Sequence, residues 1–187
     1  MTTSTKFRPA ASEHLPYFSL YIDLVPDGPI VETLRSQISE TTAMLAKAPD
    51  TAEEYRYQEV KWSVKEVVGH LCDSERIFAC RALRFGRGDA TPLPGFDSGS
   101  YVPAGGFGAR RLTDIAEEFR AVREGTIRLF EGMDPAALLR TGEASGNTVS
   151  VRALAWIIAG HERHHVAILK ERYGLLAAGG TTATPPA

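Results

Sequence analysis

The chain has 187 residues, 43% of them hydrophobic and 24% charged, a balance that supports one domain with a sizeable core and excludes a disordered chain. Its formal net charge of −2 gives no global attraction to nucleic acid or to an anionic membrane, so neither is expected as a partner. Apolar stretches such as Ala153 to Gly160 fall well short of the roughly 20 residues that span a bilayer.

The first 28 residues lack the basic start and apolar centre of a secretory signal. They show no period of either kind and are expected as an irregular segment packed on the rest; His14, within it, is given no role. From Pro29 to about Lys47, Ile30, Val31, Leu34, Ile38 and Leu45 recur at helical spacing, and Asp27 and Pro29 suit a helix start. A second helix opens at Ser63, where Ser63 and Glu66 form a capping box and Trp62 precedes the cap as a staple. Val67, Leu71, Ile77, Phe78 and Leu83 carry it to about Phe85, before Gly86 and Gly88. Cys72 and Cys80 are the only cysteines. At about 12 Å apart on one helix they are too distant to bridge, which points to reduced thiols and a cytoplasmic protein.

Between Gly88 and Arg111 the chain is rich in glycine and proline and aperiodic, as in a long crossover or functional loop, and Phe96, Asp97 and Tyr101 are candidates to cover one end of the fold. Thr113 is placed as the cap of a third helix, with Ile115, Phe119, Val122, Ile127 and Phe130 facing inward and its end near Gly132. Asp134 and Pro135 open a short helical turn. Ser150 caps a fourth helix, carrying Val151, Leu154, Ile157, Ile158, Ile168 and Leu169 and stopping at Gly174. No strand alternation is recognisable. The expected fold is therefore all-α, a four-helix bundle over residues 29–175 with a long crossover between its second and third helices, followed by a disordered tail at 176–187.

Three of the five histidines fall in the last helix, in the stretch GHERHHVAIL from Gly160 to Leu169. His161 and His165, four apart, share a helix face and can reach one ion. Glu162 and His164 lie roughly 80° to either side of that face. His70 is the other histidine inside an expected helix, on the inward face with Val67 and Ser74. Three neutral imidazoles from two facing helices make an open metal site; the plainer alternative is a set of core-edge imidazoles bonded to neighbours. Asp73, one turn from His70, is a candidate to orient a ligand, and a closed site with Asp73 or Glu162 as fourth ligand is the structural alternative to catalysis. The H-E-x-x-H spelling matches the zinc-protease motif, but no third ligand of that type and no edge strand accompany it. Arg81, Arg84 and Arg87, three apart, either complement the negative end of the second helix or line a pocket that binds a carboxylate or phosphate.

These residues resemble the DinB-like (YfiT-like) superfamily of metal-binding four-helix bundles. The likeness runs from YIDLVPDGPIVETL through KWSVKEVVGHLCDSERIFACRALRFGRGDATPLPGFD to SVRALAWIIAGHERHHVAILKERYG. His70 matches the histidine of the pattern W-S-x-x-E-x-x-x-H, and His161 and His165 match the H-x-x-x-H pair that completes the ligand set. The resemblance implies an up-down-down-up bundle, homodimers, and zinc or nickel as the bound ion. It also implies a small-molecule substrate, with low-molecular-weight thiols as co-substrates of the S-transferases in the superfamily and hydrolysis in other members.

Overall fold

The computed structural model describes residues 8–175. In chain order its elements are α1 (Ser19–Ile22), α2 (Ile30–Leu45), α3 (Val64–Gly86), α4 (Ser98–Ala104), α5 (Leu112–Glu131), α6 (Pro135–Leu139), β1 (Thr141–Ala144), β2 (Asn147–Ser150) and α7 (Val151–Glu171). The four long helices, α2, α3, α5 and α7, form the bundle. Their starts follow the local chemistry. At α3, Ser63 Oγ accepts from the Glu66 amide at 3.3 Å while Glu66 Oε2 accepts from the Ser63 amide at 2.7 Å. Ser150 Oγ accepts from the Ala153 amide at 2.9 Å and opens α7. Thr113, in contrast, does not cap α5: the helix begins one residue earlier, and Glu53 Oε1 accepts from the Leu112 amide at 3.2 Å. A carboxylate brought from a distant loop thus does at the positive helix end what a local side chain was expected to do.

Each long helix packs chiefly against two others: α3 lies between α5 and α7, and α2 closes the ring against the same pair. The segment from 87 to 111 fixes the directions. It leaves the C-terminal end of α3, where the Leu93 amide donates to Glu143 O at 2.9 Å, and returns to the N-terminal end, where Lys65 Nζ donates to Gly108 O at 2.8 Å. Helices α3 and α5 therefore run parallel, and the bundle is up-down-down-up. No described helix is long and apolar enough to cross a membrane.

Two further features depart from the sequence reading. The crossover is not wholly irregular, because Asp97 Oδ1 accepts from the Gly99 amide at 3.0 Å and caps the short helix α4. A hairpin also stands where no strand was expected. Strands β1 and β2 pair antiparallel, Thr141 opposite Ser150 and Ala144 opposite Asn147, around a two-residue turn with Ser145 at φ 55° and Gly146 at φ 71°. Four-residue strands are too short to display an alternating period, and only Ala144, Val149 and Ser150 of the pair are buried. The expected disordered tail at 176–187 lies outside the described residues.

The N-terminal segment is anchored on α7. Arg8 donates to the carbonyls of Ile22 at 2.8 Å and Val25 at 2.7 Å, and its guanidinium lies 4.9 Å from the centre of the Trp156 ring. A Cβ at Gly160 would stand 2.0 Å from the Tyr21 carbonyl oxygen, so glycine is what lets α1 lie against α7 one residue before His161.

The interior is divided. One apolar cluster holds Leu34, Phe85, Phe130, Leu154 and Trp156, the other Leu71, Ile115, Phe119 and Leu169. Between them lies a layer of buried polar side chains from all four long helices, Thr41, His70, Ser74, Glu75, Arg123, His161 and Glu162. The layer contains the candidate site.

Candidate metal centre

On α3, the turn from Val67 through His70, Leu71 and Ser74 to Phe78 faces α7, and the same apolar register buries the imidazole of His70. On α7, Ile157, Ile158 and His161 face back, and His165 follows one turn later. The structure thus brings together all three histidines singled out in the sequence. One ring nitrogen from each of His70, His161 and His165 lies within 4.8 Å of the other two, and the Nε2 atoms of His70 and His161 are 3.0 Å apart. The ring centres are 4.9, 4.9 and 4.6 Å from one another.

Burial holds all three imidazoles neutral. It lowers His70 to about 4 and His165 to about 3, and drives His161 well below its ordinary value, with the neighbouring histidines adding to the effect at His161 and His165. Neutral imidazole is the form that ligates a metal. Zinc–imidazole bonds of about 2.0–2.1 Å in a tetrahedral set place nitrogens roughly 3.3 Å apart, so the spacing of these three fits a single divalent ion.

Around the cluster stand residues to which the sequence reading gave no role at the site. Ser74 Oγ lies 3.3 Å from His70 Nδ1, within hydrogen-bond reach, and the Trp62 ring lies over His70 at 4.9 Å. Tyr21 meets the His161 ring edge-on at 5.3 Å, and Phe78 does so at 6.0 Å. Ser74 was legible as the residue four beyond His70 on the same face. Tyr21 was not, because its approach depends on Gly160 and on a segment without periodicity.

Other candidates fall elsewhere. Asp73 lies 3.8 Å from Arg76, does not touch His70, and has its carboxyl raised chiefly by burial. Glu162 turns away from the cluster: Oε2 accepts from Arg123 Nη1 at 2.6 Å and Oε1 from Thr41 Oγ1 at 2.6 Å. Neither carboxylate closes the histidine site, and the glutamate of the H-E-x-x-H spelling cannot serve it as a base. His164 packs edge-on against Tyr21 and stays outside the cluster. Cys72 turns toward α5, with Sγ 3.9 Å from Ile115 O, and burial pushes its thiol up to about 12. In the crossover, Phe96 lies against Phe78 at 6.2 Å and Tyr101 against Phe96 at 5.7 Å, so both cover the Phe78 end of the centre, whereas Asp97 is occupied as a helix cap.

The sequence model of the DinB superfamily matches residues 33–169, a span that contains α3, α5, the crossover and all three histidines. The chain belongs to the DinB superfamily. Among solved structures it is similar to YfiT from Bacillus subtilis, described as a probable metal-dependent hydrolase with an unusual four-helix bundle topology. The two superpose with a TM-score of 0.65 at 14% identity, covering 91% of this chain and 95% of that one. At this identity the likeness establishes the four-helix-bundle fold. No curated protein matches the chain in sequence.

Proposed function

We propose that this DinB-superfamily chain is a metal-dependent enzyme that holds zinc or nickel on His70, His161 and His165 and activates a low-molecular-weight thiol for S-transfer to a small electrophilic substrate. The observation that carries the reading is a cluster of three neutral imidazoles, two buried and that of His165 half-buried, with no carboxylate in contact. A structural metal site is ordinarily closed by a fourth protein ligand, and both acidic candidates are engaged elsewhere. Three neutral ligands leave the charge of a divalent ion uncompensated, which favours the deprotonated form of a thiol or water beside it.

The chain's own residues do the rest. Ser74 Oγ stands within reach of both ring nitrogens of His70, 3.3 Å from Nδ1 and 3.5 Å from Nε2, Trp62 and Tyr21 limit the rotation of His70 and of His161, and Phe78 closes the apolar side. Cys72, buried and protonated, offers no competing nucleophile. Activation of water for hydrolysis is the second reading, favoured by the description of YfiT, and it uses the same ligands.

Elemental analysis of untagged protein checks the centre: about one divalent ion per chain is expected, lost in large part by His70→Ala, His161→Ala or His165→Ala and kept by His164→Ala. Retention by all three ligand variants rejects the site. The metal-loaded protein is then assayed with an electrophile across a panel of cellular thiols. A thiol-dependent rate supports transfer; a rate on an ester or amide that no thiol alters establishes hydrolysis instead.

A further inference from the structure

The three arginines on α3 have separate fates. Arg84 Nε donates to Asp89 Oδ2 at 2.6 Å, and Arg87 is exposed beyond the helix end. Arg81 is only 6% exposed, yet no carboxylate among the described residues pairs with it. Its Nη2 donates to Pro94 O at 2.9 Å and to Ser145 Oγ at 3.2 Å, while Nε and Nη1 meet no partner among the described residues. Its Cζ lies 5.9 Å from the ring centres of both Phe78 and Phe96, and two ring faces replace only part of the lost hydration. A buried cation held by neutral groups alone is costly. The same protein shows the usual remedy at Arg123, which is flanked by two carboxylates.

Arg81 lines a cavity of about 80 Å³ between α3, the N-terminal segment and the hairpin. A single water needs only roughly 10–15 Å³ on this measure, so the space admits several heavy atoms. Phe18, Phe78, Val149 and Leu154 make its walls apolar, and Ser145 and Asn147 stand at its rim. Ser145 is the one described non-glycine residue with a positive φ, a conformation such residues seldom adopt, and it directs a hydroxyl to Arg81.

We propose that this cavity binds a small organic carboxylate, its apolar part among Phe18, Phe78, Val149 and Leu154 and its carboxylate accepting from the unpartnered Nε–H or Nη1–H of Arg81. Nε–H and Nη1–H leave the guanidinium in different directions, so each is a single charge-assisted donor; the paired edge that Arg123 presents to Glu75 runs through Nη2, which Arg81 commits to Pro94 and Ser145. Phe78 is a wall common to this cavity and the histidine cluster, its ring 6.0 Å from His161 and 5.9 Å from the Arg81 Cζ. On the proposed function, on which this extension rests, the substrate class of the metal centre is therefore a carboxylate-bearing molecule anchored at Arg81.

The test uses chelator-treated protein titrated with sodium butyrate and followed through the methyl NMR signals of Val149 and Leu154. Saturable shifts are expected in wild type, with butyrate affinity about tenfold weaker or worse in Arg81→Gln, as expected for loss of a charge-assisted hydrogen bond. Neutral butyramide should bind more weakly than butyrate by a similar factor, and that comparison keeps the proposal testable should Arg81→Gln fail to fold. Shifts that never saturate, equal affinity in Arg81→Gln, equal affinity for butyramide, or inorganic phosphate binding as tightly as butyrate each overturns it. Because no metal is present, a failure here leaves the metal reading intact, and the absence of metal from the protein leaves this result intact.

Discussion

His161 and Glu162 are neighbours on α7, yet they belong to two buried polar clusters of opposite character. On one side of the helix, Arg123, fully buried, donates through Nε and Nη2 to both oxygens of Glu75 at 2.8 Å and through Nη1 to Glu162 at 2.6 Å, and Thr41 completes Glu162. On the other side, three imidazoles gather with one hydroxyl and no charge to compensate them. The first cluster satisfies its members from within the chain. The second gathers three ring nitrogens within 4.8 Å of one another with no partner of opposite charge, an arrangement that suits an ion from outside the chain better than a closed network. It also explains why the H-E-x-x-H spelling misleads: at about 100° per residue, a glutamate following the first histidine turns into the neighbouring interface.

Breaking the charged cluster should have the largest effect. Arg123→Met leaves Glu75 and Glu162 buried without their common partner, and removal of one member of such a network costs about 3–5 kcal/mol. Urea denaturation of the metal-free protein measures it. A loss below about 1 kcal/mol would show that the two carboxylates already share a proton, toward which burial pushes Glu162.

Glu162→Gln sharpens the same contrast from within the motif. The amide keeps the shape and loses the charge, so a cost of about 1–3 kcal/mol is expected with metal content unchanged. In the protease reading the order is reversed, with stability kept and chemistry lost. Denaturation and elemental analysis of this one variant therefore decide to which cluster residue 162 belongs.

Within the neutral cluster, Ser74→Ala removes the hydroxyl 3.3 Å from His70 Nδ1 and leaves all three ligands in place. Groups that orient a metal-bound histidine are worth roughly 10- to 100-fold in metal affinity, and a fall in that range is expected. Competition with a chelating dye reads it. An unchanged affinity would mean that Trp62 and the helix packing alone orient His70.

The sequence was most legible where structure is local. Ser63 with Glu66, Ser150 and Asp134 announced helix starts because a cap needs only the next three residues, and the inward registers of α3 and α7 placed His70, His161 and His165 on facing sides. What stayed hidden depended on distant partners. The cap of α5 comes from Glu53, the packing of Tyr21 needs the missing side chain of Gly160, and the choice of Glu162 between the two clusters is made by Arg123 on another helix. The hairpin gave too few residues for a period to register.

A third polar site, less buried than the Arg123 cluster, gives the smallest and most pH-dependent effect. Glu13 accepts from Ser150 Oγ at 2.7 Å, from the Ala10 amide at 2.8 Å and from Arg152, tying the N-terminal segment to the start of α7. Burial alone would raise its carboxyl, but the bonds from Arg152, Ser150 and Ala10 together outweigh burial and hold it below the usual value. For a carboxyl lowered on folding, the stabilisation is complete above the unfolded value of about 4.3 and fades as pH falls through the folded one. The N-terminal segment should therefore loosen from the bundle in acid, with an effect of about 1 kcal/mol at most for a partly exposed pair. Amide exchange of residues 19–25, compared at neutral pH and on the acid side, reports the loosening against the bundle helices. In Glu13→Gln the segment should exchange faster at neutral pH and lose most of its further response to acid. If wild type and variant respond alike, the clasp is held by Arg8 on the Ile22 and Val25 carbonyls instead, and Arg8→Met would then show the loss.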